Sequence, residues 1–98
     1  MPKIEVPRER LAEFCRRHHI RKLAFFGSVL RDDFGPGSDV DVLVEFDDEA
    51  RVGLITLSAM ELELGELLGR KVDLRTPADL SRYFRDEVLR SAETQYAA

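Results

Sequence analysis

The sequence predicts a small α/β domain whose helices lie mainly on one face of a β-sheet. Two observations support this prediction: apolar residues recur at helical spacing in separate segments, and short strand-like runs lie between those segments. Ninety-eight residues can bury one modest core, so we expect residues 1–98 to form a single domain.

The first half of the chain is predicted to form a helix, a strand, a short helical turn and a second strand. The helix is predicted from the residues that share one of its faces, namely Leu11, Phe14, Cys15 and His18. An apolar strand at residues 22–26 ends at Gly27-Ser28, where a short helical turn follows, and residues 35–38 form a loop. The second strand covers residues 39–46, where acids alternate with apolar side chains.

A long helix and a third strand are predicted next. The apolar stripe of residues 54–68 has helical spacing, and Gly69 is typical of the end of a helix. Gly65 inside this helix lowers its stability, so we expect it to have a packing reason. The third strand is predicted at residues 71–75.

The C-terminal part is predicted to be a last helix followed by a frayed tail. Thr76 and Pro77 are typical of a helix start. The helix is expected to bury a stripe formed by Leu80, Phe84 and Val88. Residues 94–98 carry no clear pattern, and we expect them to fray.

Composition and charge disfavour several classes of protein. The formal net charge is -4 and the sequence pI is about 5.2, which disfavours direct binding along a nucleic-acid backbone. Mean hydropathy is -0.26, and no apolar run approaches the ~18–20 residues that cross a membrane. The N-terminus lacks the apolar stretch of a signal peptide, and a single cysteine cannot form an internal disulfide. We therefore expect a cytoplasmic protein.

Three aspartates are the candidate catalytic residues and metal ligands. Asp39 and Asp41 lie two residues apart on a strand, so their side chains point to one face and lie about 6–7 Å apart. Asp73 points away from the core, because its neighbours Val72 and Leu74 are apolar. If the strand of Asp73 pairs with that of Asp41, the three carboxylates converge. Such a set can hold two Mg²⁺ ions for the displacement of a phosphoryl or nucleotidyl group.

A phosphate site is predicted beside these acids. Gly27 lies where a strand ends, and glycine lets the backbone approach a phosphate closely. The Ser28 hydroxyl and the amides of the following turn can donate to the same anion. Arg31 lies one turn further along, and Ser38 offers another hydroxyl next to Asp39. Gly27, Ser28, Arg31 and Ser38 are therefore the candidate nucleotide-binding residues.

Together these motifs resemble the nucleotidyltransferase fold of DNA polymerase beta. The resemblance spans roughly residues 10–90 and is carried by Gly27-Ser28, Arg31, Ser38-Asp39-Val40-Asp41 and Val72-Asp73-Leu74. Within that fold the chain is similar to the minimal nucleotidyltransferases, which are the antitoxin halves of HEPN/MNT toxin–antitoxin modules. The resemblance implies a mixed sheet with helices mainly on one face.

The same resemblance implies an activity and a role for each motif. Members transfer AMP from ATP, with Mg²⁺, to a hydroxyl that is often a tyrosine of the partner HEPN toxin. Gly27 and Ser28 correspond to the pair that binds the triphosphate. Asp39 and Asp41 correspond to the acids that bridge the metal ions, and Asp73 to the acid nearest the nucleophile.

Other interpretations fit the same residues. The domain could neutralise a HEPN ribonuclease by binding alone, with a silent nucleotide site, or transfer a nucleotide to a small molecule. Many members have glycine after the arginine, whereas this chain has Asp32. Glu45 lies four residues past Asp41, and we expect it to be solvated. The basic cluster at residues 16–22 is expected to be a solvated helix end, and a docking patch for an acidic partner or RNA is its alternative.

Overall fold

The computed structural model describes residues 4–98. Helices and strands follow one another as α1 (Arg8–Arg17), β1 (Ile20–Phe26), β2 (Val40–Phe46), α2 (Leu54–Leu68), β3 (Val72–Arg75), α3 (Arg85–Ser91) and β4 (Glu93–Ala97). Short 3-10 turns occupy Gly27–Leu30 and Pro77–Asp79. Within residues 4–98, every helix is too short or too polar to cross a membrane.

The strands form one mixed sheet in the order β3-β2-β1-β4. Strand β1 pairs antiparallel with both β2 and β4, whereas β2 and β3 are parallel. Two parallel neighbours need a crossover connection, and α2 supplies it. The predicted α/β class and the mixed sheet are therefore confirmed.

The core lies between the sheet and the two longer helices. Its largest fully buried side chains come from α1, β1, β2 and α2, and include Leu11, Phe14, Leu23, Phe25, Val42, Val44, Met60 and Leu64. Met60 and Leu64 belong to the predicted apolar stripe of α2, but the prediction fails at the start of that helix, where Leu54 is 82% exposed. Cys15 on α1 is fully buried as well, and burial raises the pKa of its thiol to about 12.

Two glycines shape the end of α2. Gly69 follows the helix with a left-handed φ of 70°, which glycine adopts without strain. At Gly65, an added Cβ would lie 3.0 Å from the carbonyl oxygen of Arg70. The carbonyl of Gly65 also accepts the N–H of Arg70 at 3.1 Å. Gly65 therefore has the expected packing reason, because the chain folds back closely against the helix at this point.

The prediction of a frayed C-terminal tail was wrong. Residues 93–97 form β4, which pairs with β1. Tyr96 is the register partner of Leu23 and packs against the core, and the N–H of Ala98 donates to the carbonyl of Arg21 at 2.9 Å. The segment lacks a clear apolar alternation, so its strand conformation depends on a distant partner rather than on local pattern.

The last helix is shorter than predicted. Asp79 accepts hydrogen bonds from the N–H and hydroxyl of Thr76 at 3.1 and 3.0 Å, but these contacts cap only a short 3-10 turn. The backbone is extended at Leu80, whose side chain enters the core, and α3 begins only at Arg85. Phe84, which we expected to be buried, is 50% exposed.

Candidate active site

The candidate acids meet at the parallel strand pair. Asp41 on β2 is the register partner of Asp73 on β3. Side chains at partnered positions of neighbouring strands project to the same face, and such strands lie about 4.8 Å apart. Asp39 lies two residues before Asp41, just outside β2, and is close enough to raise the pKa of Asp41. The structure thus brings the three acids together at one end of the sheet.

Asp41 has a perturbed acidity that reflects this crowding. Its pKa is raised above the usual aspartate value, mainly because burial disfavours the charge, and further because Asp73 and Asp39 repel it. Arg31 and Arg75 act in the opposite direction, and the pKa remains raised. A further cation among the carboxylates would relieve both the burial of charge and the repulsion.

Arg75 is a member of this group that we did not predict. Its Nε lies 3.1 Å from Oδ1 of Asp73, and its Nη2 donates to Oδ2 at 3.3 Å. The two residues are two apart on β3, so strand alternation places them on one face and is a signal that could have revealed the pair. Arg75 therefore supplies part of the positive charge that the acids require.

The chemistry of the acids fits a hard divalent cation. Asp39, Asp41 and Asp73 offer carboxylate oxygens, which Mg²⁺ prefers as ligands. However, among residues 4–98 no three His, Cys, Asp or Glu side chains already lie close enough together to hold a single metal ion. The arrangement of two Mg²⁺ ions therefore stays a prediction.

Gly27 allows the backbone to lie directly against an acid. Its φ of 75° is left-handed, and a Cβ at this position would overlap the Oδ2 atom of Asp41. Only glycine fits both the conformation and the space. The preceding residue, Phe26, pairs with Asp41 across β1 and β2, so the turn lies at the same end of the sheet as the acids.

Ser28 and Arg31 lie on and just after this turn. Ser28 belongs to the 3-10 turn, and in the described part of the chain its hydroxyl has no protein hydrogen-bond partner. Arg31 is exposed, with its Nε 3.3 Å from Oδ1 of Asp33, and its charge lowers the pKa of Asp41. Arg31 thus lies close enough to act on Asp41, and the role of both residues in binding a nucleotide stays a prediction.

Ser38 lies in a closed loop just before Asp39. Its hydroxyl accepts the N–H of Gly35 at 3.1 Å, and its own N–H donates to the carbonyl of Gly35 at 3.0 Å. Its carbonyl accepts a hydrogen bond from Arg70 at 2.9 Å. No sequence pattern pointed to Arg70, because the contact depends on where the loop lies in space.

Half of the basic cluster is paired within the described part of the chain, through Arg17, His18 and Arg21. Nη1 of Arg17 lies 2.7 Å from Oε2 of Glu63, and Nε2 of His18 lies 3.0 Å from Oε1 of the same carboxylate. Burial raises the pKa of Glu63, but the hydrogen bonds from His18 and Arg17 outweigh it, and the pKa is lowered. Arg21 pairs with Glu45 at 3.3 Å. These contacts favour a structural role for the cluster over a docking patch.

Comparisons with known proteins show the family of this chain. A family model described as the nucleotidyltransferase domain matches residues 8–94. The solved structure of a candidate minimal nucleotidyltransferase is 35% identical to this chain and matches it with a TM-score of 0.71. The match covers 87% of this chain and 85% of that chain. The chain belongs to the minimal nucleotidyltransferases. The resemblance that the motifs indicated is thereby confirmed.

Curated relatives within this family are described as protein adenylyltransferases. A candidate protein adenylyltransferase of Methanocaldococcus jannaschii, MJ0435, is 33% identical over 78% of this chain and 80% of its own length. Protein adenylyltransferase MntA of Thermococcus cleftensis is 35% identical over 80% of this chain and 77% of its own length. The family is thus one of nucleotide-transferring enzymes.

Solved toxin–antitoxin complexes share the fold at lower identity. A crystal structure of a toxin–antitoxin with AMP-PNP matches with a TM-score of 0.75 at 17% identity, covering 95% of this chain and 75% of that chain. A complex of a tri-AMPylated Shewanella oneidensis HEPN toxin with an MNT antitoxin matches with a TM-score of 0.67 at 17% identity. That match covers 93% of this chain and 70% of that chain. These likenesses concern the fold alone.

Proposed function

We propose that this chain transfers AMP from ATP to a tyrosine hydroxyl of a HEPN-family toxin and acts as the antitoxin of that pair. Its family and its curated relatives support nucleotide transfer to a protein. The related complex of an AMPylated HEPN toxin with an MNT antitoxin supports the choice of partner.

The observation that carries the proposal is the register of Asp41 with Asp73 on neighbouring parallel strands. It gathers carboxylates from two strands, with Asp39 close to Asp41. The backbone of Gly27 lies against Asp41, so the candidate phosphate turn and the acids form one continuous site. A domain with only a structural role would have no need to hold like charges together.

In the proposed reaction, the acceptor hydroxyl attacks the α-phosphorus of ATP. A new oxygen–phosphorus bond forms, the bond from the α-phosphorus to the bridging oxygen breaks, and pyrophosphate leaves with that electron pair. Asp73 orients the hydroxyl and takes its proton. The rate gain comes from positioning and charge neutralisation, without a covalent enzyme intermediate.

Each candidate residue has a role in this reaction. Two bound Mg²⁺ ions would neutralise the charge of the triphosphate and of the departing pyrophosphate. The proposed metal ligands are Asp39, Asp41 and Asp73, and the proposed nucleotide-binding residues are Gly27, Ser28, Arg31 and Ser38.

Incubation with a HEPN partner, Mg²⁺ and ATP labelled at the α-phosphate tests the proposal. We expect the wild-type chain to label the toxin, and Asp39→Asn and Asp41→Asn to abolish labelling while remaining folded. Asp73→Asn should keep much of its affinity for Mg·ATP, measured by calorimetry, while single-turnover transfer falls by several orders of magnitude, roughly a hundred- to ten-thousandfold.

Glu45→Gln is the matched control, because Glu45 lies on the same strand as Asp41 but pairs with Arg21. It should label the toxin as the wild type does. If Asp73→Asn lost Mg·ATP binding as completely as Asp41→Asn, the division of roles among the acids would be wrong.

A silent antitoxin that only covers the toxin is the second candidate. The pairing of Arg75 with Asp73 favours it, as do the exposed apolar side chains of Leu54 and Ile55, which are 82% and 88% exposed. It predicts that the wild type labels nothing, and that the wild type and all three asparagine variants bind and neutralise the toxin equally.

A further inference from the structure

One side chain holds the loop that leads into the candidate site. Arg70 is partly buried, and its Nη2 donates to the carbonyl oxygen of Gly35 at 2.6 Å and to that of Ser38 at 2.9 Å. Its guanidinium carbon also lies 4.4 Å from the centroid of the Phe34 ring. Arg70 thus contacts the loop at Gly35, at Ser38 and at the ring of Phe34.

The backbone next to Arg70 holds the other side of Asp39. The N–H of Val40 donates to the carbonyl oxygen of Lys71 at 2.9 Å. Asp39 therefore lies between two anchors: Arg70 holds the residue before it, and Lys71 holds the residue after it. Asp73 follows Lys71 by two residues. The short segment of residues 70–73 therefore positions both Asp39 and Asp73.

The left-handed turn at the end of α2 makes this reach possible. Gly69 has a φ of 70°, and the N–H of Arg70 returns to the carbonyl of Gly65 at 3.1 Å. The helix therefore ends before Arg70, and the Arg70 side chain extends to the loop of residues 34–38.

We infer that Arg70 is a positioning residue, which fixes the loop of residues 34–38 so that Asp39 stays in place beside Asp41 and Asp73. Arg70 would affect the rate of AMP transfer only by holding Asp39 in place, not by contacting the reacting atoms. This effect on the rate rests on the proposed function. Lysine is a poor substitute, because an ammonium group has no planar face to stack on Phe34 and offers a different donor geometry.

The test compares Arg70→Met and Arg70→Lys with the control Arg51→Met, a change at an exposed arginine outside the site. Hydrogen exchange is measured at residues 35–39 and at the core strand β1, and calorimetry gives the affinity for Mg·ATP. Single-turnover labelling gives a rate constant, which does not fall merely because fewer molecules are folded.

We expect Arg70→Met to speed exchange at residues 35–39 while β1 stays protected, and to weaken Mg·ATP binding. The rate constant should fall about ten- to a hundredfold, the range for a small misplacement of a catalytic group. Arg70→Lys should show a smaller loss of the same kind, and Arg51→Met should match the wild type.

Two results would overturn the inference. One is wild-type exchange at residues 35–39 together with a wild-type rate constant in Arg70→Met. The other is equal loss of protection in the loop and in β1, which would show general destabilisation. If Arg70→Met does not fold, Arg70→Lys and Phe34→Leu decide, since each removes only part of the contact. A wild-type chain that transfers no AMP would contradict the proposed function alone, because exchange at the loop needs no substrate.

Discussion

At the scale of single residues, Asp41 opposes folding while it serves the candidate site. Its raised pKa means that the folded protein holds this proton more tightly than the unfolded chain does. The resulting stability is fully present below the unfolded-state pKa and is lost as the pH rises through the folded-state pKa. At neutral pH, the ionised Asp41 is therefore unfavourable for folding.

Asp41→Asn should consequently raise the free energy of unfolding of the metal-free protein at pH 7. The gain should shrink as the pH falls towards about 4, where aspartates become protonated. Denaturant titrations at both pH values measure it. Asp48→Asn is the control, because the Asp48 side chain is 91% exposed. A variant less stable than the wild type at pH 7 would contradict the electrostatic account.

The acids were predictable from the sequence because the rule that gathers them is local. Strand alternation puts Asp39 and Asp41 on one face, and apolar neighbours turn Asp73 outwards. Arg70 was not predictable, since its contacts join segments about 35 positions apart in the chain, whose approach only the fold determines.

At the scale of elements, the end of α2 depends on one backbone conformation. Gly69→Ala should cost about 1 kcal/mol of stability, because a side chain is disfavoured in the left-handed region. Among residues 4–98, no atom outside its own neighbours in the chain lies within 4 Å of the added Cβ, so the loss would reflect strain rather than a clash. Chemical denaturation measures the loss.

Gly37→Ala is its matched control. Gly37 also has open space around it, without a left-handed φ. An equal loss in both variants would show that left-handed strain is not the cause.

Glu63 links α2 to the end of α1 through Arg17 and His18. Its lowered pKa gives stability that is present above the unfolded-state pKa and is lost as the pH falls through the folded-state pKa. Glu63→Gln should therefore reduce stability at pH 7 by roughly 0.5 kcal/mol, the scale of a partly exposed ion pair. The difference should vanish in acid.

Thermal unfolding at pH 7 and in acid checks this expectation. Glu66→Gln, at an exposed position on the same helix, should change stability less at both pH values. A loss for Glu63→Gln that does not depend on pH would point to packing rather than charge.

The last helix shows where local signals stop being sufficient. Thr76 donates two hydrogen bonds to Asp79 at the start of the 3-10 turn, so the start signal predicted at Thr76 and Pro77 is real. The chain is extended at Leu80, whose side chain is buried, and a helical pattern does not reveal such a tertiary effect on conformation.

At the scale of the whole molecule, the sheet is completed by the last strand in the chain. Strand β4 covers the edge of β1 opposite β2. Arg8 on α1 donates to Oε1 of Gln95 at 2.7 Å, which ties the two ends of the fold together. The fold class was predictable from the helical spacing of apolar residues in α1 and from the strand alternation of β2. The fourth strand was not, because it forms only against a distant partner.

Removal of residues 93–98 should destabilise the domain by roughly 2–5 kcal/mol, since it removes the packing of a large side chain as well as strand pairing. Tyr96→Ala separates the two effects, because it removes the packing of the side chain while the backbone pairing of β4 with β1 is retained. Denaturant titration measures both proteins, and light scattering detects association through the uncovered edge of β1. Unchanged stability after truncation would mean that β4 contributes nothing to the fold.

The burial of Cys15 also makes the protein convenient to label. It is the one cysteine in the sequence, it is fully buried, and with a pKa of about 12 its thiol carries almost no thiolate at neutral pH. Maleimides react with thiolates, so the wild-type chain should take up no dye while folded. A cysteine introduced on exposed α3, as in Glu87→Cys, would then carry a fluorophore at one defined position, with the native residue left untouched.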